Sequence, residues 1–189
     1  MTHPVIEFWE GRYHRGGTSG RGSSGRKANR KAGTINRLIE THHVHSVIDW
    51  GCGDGPVAAK IIVPRYIGVE VSETALEMCK ARADGPGREW YLYDGLEVLR
   101  LRADLALSLD VIFHLTDDEM YRRHLELLFA SAPLVCIASS NRDEWGRSHV
   151  RHRRFTEDIP AGWTILRRPP VKTQGKINYW IFRRKDGPD

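Results

Sequence analysis

The sequence predicts an α/β domain, a three-layer sandwich around a mostly parallel, seven-stranded sheet that a C-terminal antiparallel hairpin closes. From Ser46 onward the chain alternates short β-branched or apolar runs with amphipathic segments, the pattern of βα units around a parallel sheet. The first of those runs ends in a glycine-rich turn, Gly51-Cys52-Gly53-Asp54-Gly55. Past Ser140 the alternation gives way to a polar stretch, SNRDEWGRSHVRHRRF, and then to two apolar runs at 162–167 and 177–184, spaced as a hairpin.

Phe8, Trp9 and Tyr13 supply an aromatic cluster on a short N-terminal helix. Residues 14–27, HRGGTSGRGSSGRK, offer too little apolar surface to order themselves, so a mobile loop or arm is expected there. Ala32, Ile35, Leu38 and Ile39 then recur at helical spacing within 28–42. Strands are expected at 46–51, 65–71, 89–93, 104–110 and 133–139, with helices between them at about 55–62, 73–82, 95–100 and 117–130. Thr116 or Asp117 is placed to cap the last helix. The 189 residues suit one domain, with 1–45 a helical, Gly-rich lid segment and 46–189 the core.

No apolar run approaches the roughly 18 to 20 residues that span a bilayer, and the polar N-terminus lacks a secretory signal's hydrophobic stretch. A cytoplasmic protein with no membrane partner is expected. Cys52, Cys79 and Cys136 sit in apolar or Gly-rich contexts without CxxC spacing and read as small buried residues, with neither zinc site nor disulfide framework. The net charge of +5 concentrates in Arg12–Lys31 and Arg142–Arg168, patches that attract anions such as nucleic acid or a phosphorylated metabolite, or serve solubility alone.

In Val47-Ile48-Asp49-Trp50-Gly51-Cys52-Gly53-Asp54-Gly55 a strand enters a turn with glycine at alternate positions, which lets the backbone turn sharply and approach a ligand closely. Tyr66-Ile67-Gly68-Val69-Glu70 is a second strand, ending in a carboxylate 15 residues after Gly55 where it could bind both hydroxyls of a ribose. In these two linked elements the sequence resembles the class I S-adenosylmethionine-dependent methyltransferases, in which an acidic strand end precedes G-x-G-x-G and a second acidic residue ends the next strand. The resemblance covers roughly 46–140. It implies a Rossmann-like fold, methyl transfer, and S-adenosylmethionine as cofactor with S-adenosylhomocysteine as product; His149 and His152 have a possible metal-ligand spacing, but no carboxylate or cysteine completes a set, so no metal is expected. It further implies that Asp49, Gly51, Cys52, Gly53 and Gly55 cradle the methionine part, and that Glu70, with Val71 beside it, binds the ribose. Asp94, with Gly95, would meet the adenine amino group, and Asp110, in Leu107-Ser108-Leu109-Asp110-Val111-Ile112-Phe113-His114, would lie beside the methionine amine and the acceptor. A dinucleotide site wants G-x-G-x-x-G and a helix N-terminus facing a pyrophosphate, whereas here Asp54 would set a carboxylate near those phosphates.

A methyl sulfonium is already activated, so the protein has chiefly to hold a nucleophile in line and, where required, take its proton. His114, four residues past Asp110, is the candidate base; its other possible role is packing at the strand end. His149, His152, Arg153 and Arg154 follow the fifth strand and are expected to bind an anionic group of the acceptor, unless they form a solvated basic loop. Gly16–Gly25 is expected either to close as a lid, bringing Tyr13, Arg21 or Arg26 toward the ligands, or to be a disordered arm. Trp9, Trp50 and Trp90 are candidates to stack on an adenine or an aromatic acceptor, or to pack. The acceptor expected is an oxygen or nitrogen of a small-molecule, anionic metabolite. No nucleic-acid module is appended, and Asp110-Val111-Ile112-Phe113 replaces the Asp/Asn-Pro-Pro-aromatic tetrapeptide of many base-amino methyltransferases. The alternative is RNA or protein, met by the 142–154 loop and by an arm carrying Arg12, Tyr13, Arg15, Arg21, Arg26, Lys27, Arg30 and Lys31. A sensor that binds the cofactor without consuming it is a third reading.

Overall fold

The computed structural model describes residues 3–93, 96–146 and 149–185. In chain order the strands are β1 (Ser46–Trp50), β2 (Arg65–Glu70), β3 (Arg88–Leu92), β4 (Leu105–Leu109), β5 (Leu134–Ser139), the short pair β6 (Glu144–Trp145) and β7 (Arg151–His152), and the closing β8 (Trp163–Arg167) and β9 (Asn178–Arg184). Seven of them form one sheet in the order β3-β2-β1-β4-β5-β9-β8, with β1 to β5 parallel and β9 antiparallel to both its neighbours. This is the Rossmann-like class that the sequence predicts. Strands β1, β2, β4 and β5 are buried on both faces, which is why they read as nearly continuous apolar runs. The strand order reverses between β1 and β4, and ligands of open α/β sheets gather at the C-terminal edge beside such a reversal.

Among the described residues four α-helices complete the layers: α1 (Pro4–His14), α2 (Gly25–Thr41), α3 (Glu73–Ala83) and α4 (Asp118–Ser131). Ile35 and Leu38 of α2 and Cys79 of α3 pack on the face that carries Val47, Tyr66 and Leu107. On the other face Leu125 and Leu128 of α4 meet Ile48, Ile67 and Phe182. Asp117 caps α4 by accepting from Met120 N at 2.8 Å, and Ser72 caps α3 through Ala75 N at 3.0 Å. Helix α1 is anchored to α3 by Glu10, whose Oε2 accepts from Ser72 Oγ at 2.6 Å.

Two expected helices are short 3₁₀ segments. Residues 55–62 form only Ala58–Lys60, since Pro56 and Pro64 bracket a segment too short for α-helical turns. Asn36 of α2 takes over its free backbone groups, donating to Lys60 O at 2.9 Å and accepting from Ile62 N at 3.0 Å. At Leu96–Arg100 only Val98 is buried, too little for a helical stripe. The three cysteines are free and buried. Among the described residues no helix is long and apolar enough to cross a membrane.

Candidate functional site

The C-terminal ends of β1, β2 and β4 open onto a cavity of about 260 Å³. One wall is the glycine turn, with φ of 92°, 59° and 89° at Gly51, Gly53 and Gly55. A Cβ at Gly51 would lie 2.5 Å from Val111 Cγ2, and one at Gly55 3.0 Å from Cys79 Cα, so conformation and space both demand glycine there. Gly51 N and Cys52 N donate to Val69 O at 2.8 and 3.1 Å, fastening the turn to β2.

Three carboxylates face this cavity. Asp49, buried in β1, accepts from Tyr66 Oη at 2.8 Å through Oδ2, while its buried Oδ1 has no partner among the described residues. Burial pushes its pKa up to about 6, against the lowering effect of the Tyr66 hydrogen bond. Glu70 accepts from Gly53 N at 2.9 Å, Val71 N at 2.9 Å and Ser72 N at 3.2 Å, and burial raises it above the ordinary carboxylate range. Those bonds tie the glycine turn to the end of β2 and leave about one of the carboxylate's four acceptor positions for a ligand hydroxyl. Asp110 follows β4 with φ of 64°, a left-handed conformation uncommon outside glycine. Its Oδ2 meets Lys31 Nζ at 2.7 Å, and its Oδ1 is buried without a partner among the described residues.

Lys31 also donates to Ser23 Oγ at 3.0 Å. The sequence reading placed Lys31 only among the cations of the arm. The signal was present in its spacing, because it lies on the stripe of Ala28, Ala32 and Ile35, where a charge on the apolar face of α2 needs a buried partner.

Residues 16–24 lie across the glycine turn, in contrast to the mobile loop expected from composition. Ser19 donates its N–H to Asp54 Oδ1 at 3.1 Å and its hydroxyl to the same oxygen, accepts from Asp54 N at 3.2 Å and bonds Tyr13 Oη at 2.8 Å. Arg82 Nη1 reaches Asp54 Oδ2 at 3.0 Å. Burial alone would raise the Asp54 carboxyl, but these bonds outweigh it and hold it below its usual range. Polar contacts thus supply the order that apolar area does not. Replacing Asp54 with alanine is expected to speed tryptic cleavage at Arg15, Arg21 or Arg26 at least about tenfold, since both Ser19 hydrogen bonds to the carboxylate are lost and even one charge-assisted hydrogen bond contributes roughly 1.5 kcal/mol; an unchanged rate would mean that the segment is held elsewhere. Because Asp54 is turned to Ser19 and Arg82, it offers no charge against a pyrophosphate. The missing helix after Gly55 supplies the geometric objection instead, since no α-helix N-terminus faces the site there.

His114 lines the cavity with Nδ1 3.0 Å from His149 O. A carbonyl only accepts, so Nδ1 carries the proton and Nε2 keeps its lone pair. Trp9 meets the ring edge-on at 5.0 Å, and His149 stacks on it at 5.7 Å. Burial lowers the His114 pKa to about 4. His124 of α4, which the sequence reading did not single out, also lines the cavity with Nε2 2.9 Å from Ser108 Oγ, and burial likewise lowers it to about 4.

The residues expected to bind an anionic group make contacts within the protein. Arg153 donates to Leu115 O at 2.8 Å, Thr116 O at 3.1 Å and Asp118 Oδ1 at 3.0 Å, and lies 4.2 Å over the Tyr121 ring, so its guanidinium is a clamp between loop and α4. Arg154 pairs with Asp143 at 3.2 Å. His152 is held by Ser140 Oγ at 2.7 Å, and His149 stacks on Phe8 at 4.8 Å; neither lines the cavity. Tyr13, Cys52, Val71 and Trp9 do line it, whereas Arg21 is exposed and outside its wall. Trp50 is buried on Ser131 and Trp90 is bonded to Asp84, so both pack. Asp94 and Gly95 lie outside the described residues. Among the described residues no group of His, Cys, Asp and Glu is arranged to hold a metal.

No family model matches the chain, and no curated protein sequence matches it. Its fold is that of class I S-adenosylmethionine-dependent methyltransferases. The magnesium protoporphyrin IX methyltransferase from Synechocystis PCC 6803 with bound S-adenosyl-L-homocysteine superposes with a TM-score of 0.67 at 15% identity, over 95% of this chain and 98% of that one. The N-methyltransferase NodS from Bradyrhizobium japonicum WM9, in complex with the same molecule, gives 0.65 at 16%, over 85% and 88%. The methyltransferase domain of bacterial CtHen1-C gives 0.63 at 19%, over 83% and 98%.

Proposed function

We propose that the chain is an S-adenosylmethionine-dependent methyltransferase acting on an oxygen or nitrogen of a small acceptor. The carrying observation is the pair of buried, unpartnered oxygens, Asp49 Oδ1 and Asp110 Oδ1, in one cavity beside the glycine turn and Glu70. Buried acceptors call for donors, and a ligand with an ammonium and ribose hydroxyls brings them. A pyrophosphate would bring further acceptors and negative charge. Two neighbours of the same fold hold S-adenosyl-L-homocysteine. When bound, the cofactor supplies a methyl group already activated by its sulfonium.

The chain's own part is positioning. Asp49 and the glycine turn hold the methionine end, Glu70 a ribose hydroxyl and Asp110 the amine; His114 Nε2 is free to take a proton from the acceptor. Trp9, Tyr13 and Phe113 give aromatic walls, and the Ser19–Asp54 contact keeps the 16–24 segment over the site and excludes water. A small acceptor suits a cavity of this size, and the arginines of the flanking loop, Arg142, Arg151, Arg153 and Arg154, are each paired with a carboxylate of the protein. One observation favours RNA as a second reading: no acidic residue occurs from Gly11 to Ile39, and Arg15, Arg21, Arg26, Lys27 and Arg30 are all exposed.

Calorimetry tests both. S-adenosyl-L-homocysteine is expected to bind with a dissociation constant near the micromolar range, about −8 kcal/mol, and NAD to give no heat; the reverse result overturns the reading. RNA binding that weakens steeply with salt would move the acceptor to the second class.

A further inference from the structure

We propose that Lys31 holds the methyl acceptor through an oxygen atom, so that the acceptor is a hydroxyl or carboxylate on an apolar frame and not an amine. The inference rests on the methyltransferase reading and deepens it. Among the described residues Lys31 is the one Lys or Arg side chain on the cavity wall. The two histidines there, His114 and His124, are neutral at pH 7 because burial lowers both to about 4.

The Lys31 side chain is only 8% exposed, and a buried ammonium is tolerated when its hydrogens are satisfied. It has three N–H donors. Asp110 Oδ2 takes one at 2.7 Å and Ser23 Oγ another at 3.0 Å, which leaves one for a ligand. Asp110 is also close enough for its charge to act on His114, so Lys31, Asp110 and His114 form one neighbourhood.

An acceptor oxygen has lone pairs to spare, one for the Lys31 hydrogen and one for attack. A neutral amine has a single pair; bound to Lys31 it cannot attack, and freed to attack it becomes cationic beside a fixed ammonium in a medium of low dielectric. For a hydroxyl acceptor, the oxygen forms a bond to the methyl carbon as the carbon–sulfur bond breaks and leaves its electron pair on sulfur, while the hydroxyl proton passes to His114 Nε2. A carboxylate acceptor has no proton to pass. The walls from Trp9, Tyr13 and Phe113 suit an aromatic frame.

The test is titration calorimetry of the full chain saturated with S-adenosyl-L-homocysteine, using benzoate and benzylamine as matched probes. Benzoate is expected to bind at least about tenfold more tightly than benzylamine, equivalent to roughly 1.4 kcal/mol. Lys31→Met is expected to weaken benzoate at least about tenfold while S-adenosyl-L-homocysteine still saturates the protein. If Lys31→Met leaves Asp110 buried alone and fails to fold, Lys31→Gln keeps an N–H donor for Asp110 without the charge and is expected to fold, to saturate with S-adenosyl-L-homocysteine and to bind benzoate at least about tenfold less tightly. The inference is overturned by benzylamine binding as tightly as benzoate, by no benzoate binding to the unaltered chain, or by benzoate affinity retained without Lys31. It is overturned too if Lys31→Met loses S-adenosyl-L-homocysteine instead, which assigns the ammonium to the cofactor. Failure of S-adenosyl-L-homocysteine to bind the unaltered chain removes the methyltransferase reading and this inference with it, so the two failures are distinct.

Discussion

With a hydroxyl acceptor, replacing His114 with glutamine is expected to lower kcat roughly 10²- to 10⁴-fold, the usual loss when a positioned base is removed, while S-adenosyl-L-homocysteine still binds. The tautomer sets this expectation. His149 O fixes the proton on Nδ1 and leaves Nε2 as the only ring nitrogen that can accept one. Because burial lowers the pKa from 6.5 to about 4, that lone pair is available throughout the neutral range. The acid limb of kcat/KM should therefore fall near pH 4 and not near 6.5. The same depression acts on stability: as pH falls from 6.5 toward about 4 the unfolded imidazole takes a proton that the native one refuses, and stability is lost in that window. Rates at each pH thus need a parallel check of folding by circular dichroism. A drop of less than about tenfold with an unshifted pH profile would assign His114 to packing between Trp9 and His149.

The parts of the molecule legible in the sequence are those fixed by local pattern. Strands β1, β2, β4 and β5 announce themselves as apolar runs because both faces are covered, and Asp117 announces α4 because a capping carboxylate needs only the next turn. The glycine turn is legible for the same reason: its positive φ values are a demand of the chain at those residues. What escaped depends on partners far away in sequence. Ser19 and Asp54 are 35 residues apart, and their bonds order a segment whose composition argues for disorder. Arg153 is indistinguishable in sequence from an anion-binding arginine; only the fold, by bringing Leu115 O, Thr116 O and Asp118 to its fork, engages its two terminal nitrogens. The short 3₁₀ turn at Ala58–Lys60 likewise has its free backbone groups met from a distance, by Asn36 of α2.

Asp49→Asn is expected to make the protein more stable and a poorer binder. Burial raises the Asp49 carboxyl from 3.8 to about 6 in the native state. At about 1.4 kcal/mol per pKa unit, the charged form then destabilises the fold by about 3 kcal/mol. The window follows from the sign: below about pH 3.8 both states are protonated and nothing is lost, and as pH rises through about 6 the native state carries the full penalty. Asparagine has no charge to bury. Its carbonyl can still accept from Tyr66 Oη, and its Nδ2 takes the place of an oxygen that already has no partner among the described residues, so no existing bond is lost. For a chain of this size that gain corresponds to a melting temperature roughly 6 to 12 °C higher at pH 8, shrinking to nothing near pH 4. Affinity for S-adenosyl-L-homocysteine should fall at least about tenfold, because an NH₂ donor stands where the ligand's own donor needs an acceptor. Melting curves at pH 4 and 8 and calorimetry at pH 8 measure the two effects separately. A strand buried on both faces has no packing need for a carboxylate at this point, and an amide would serve Tyr66 as well. If the variant neither gains stability at pH 8 nor loses affinity, the unpartnered Oδ1 has no ligand to wait for, and Asp49 is not part of the cofactor's cradle.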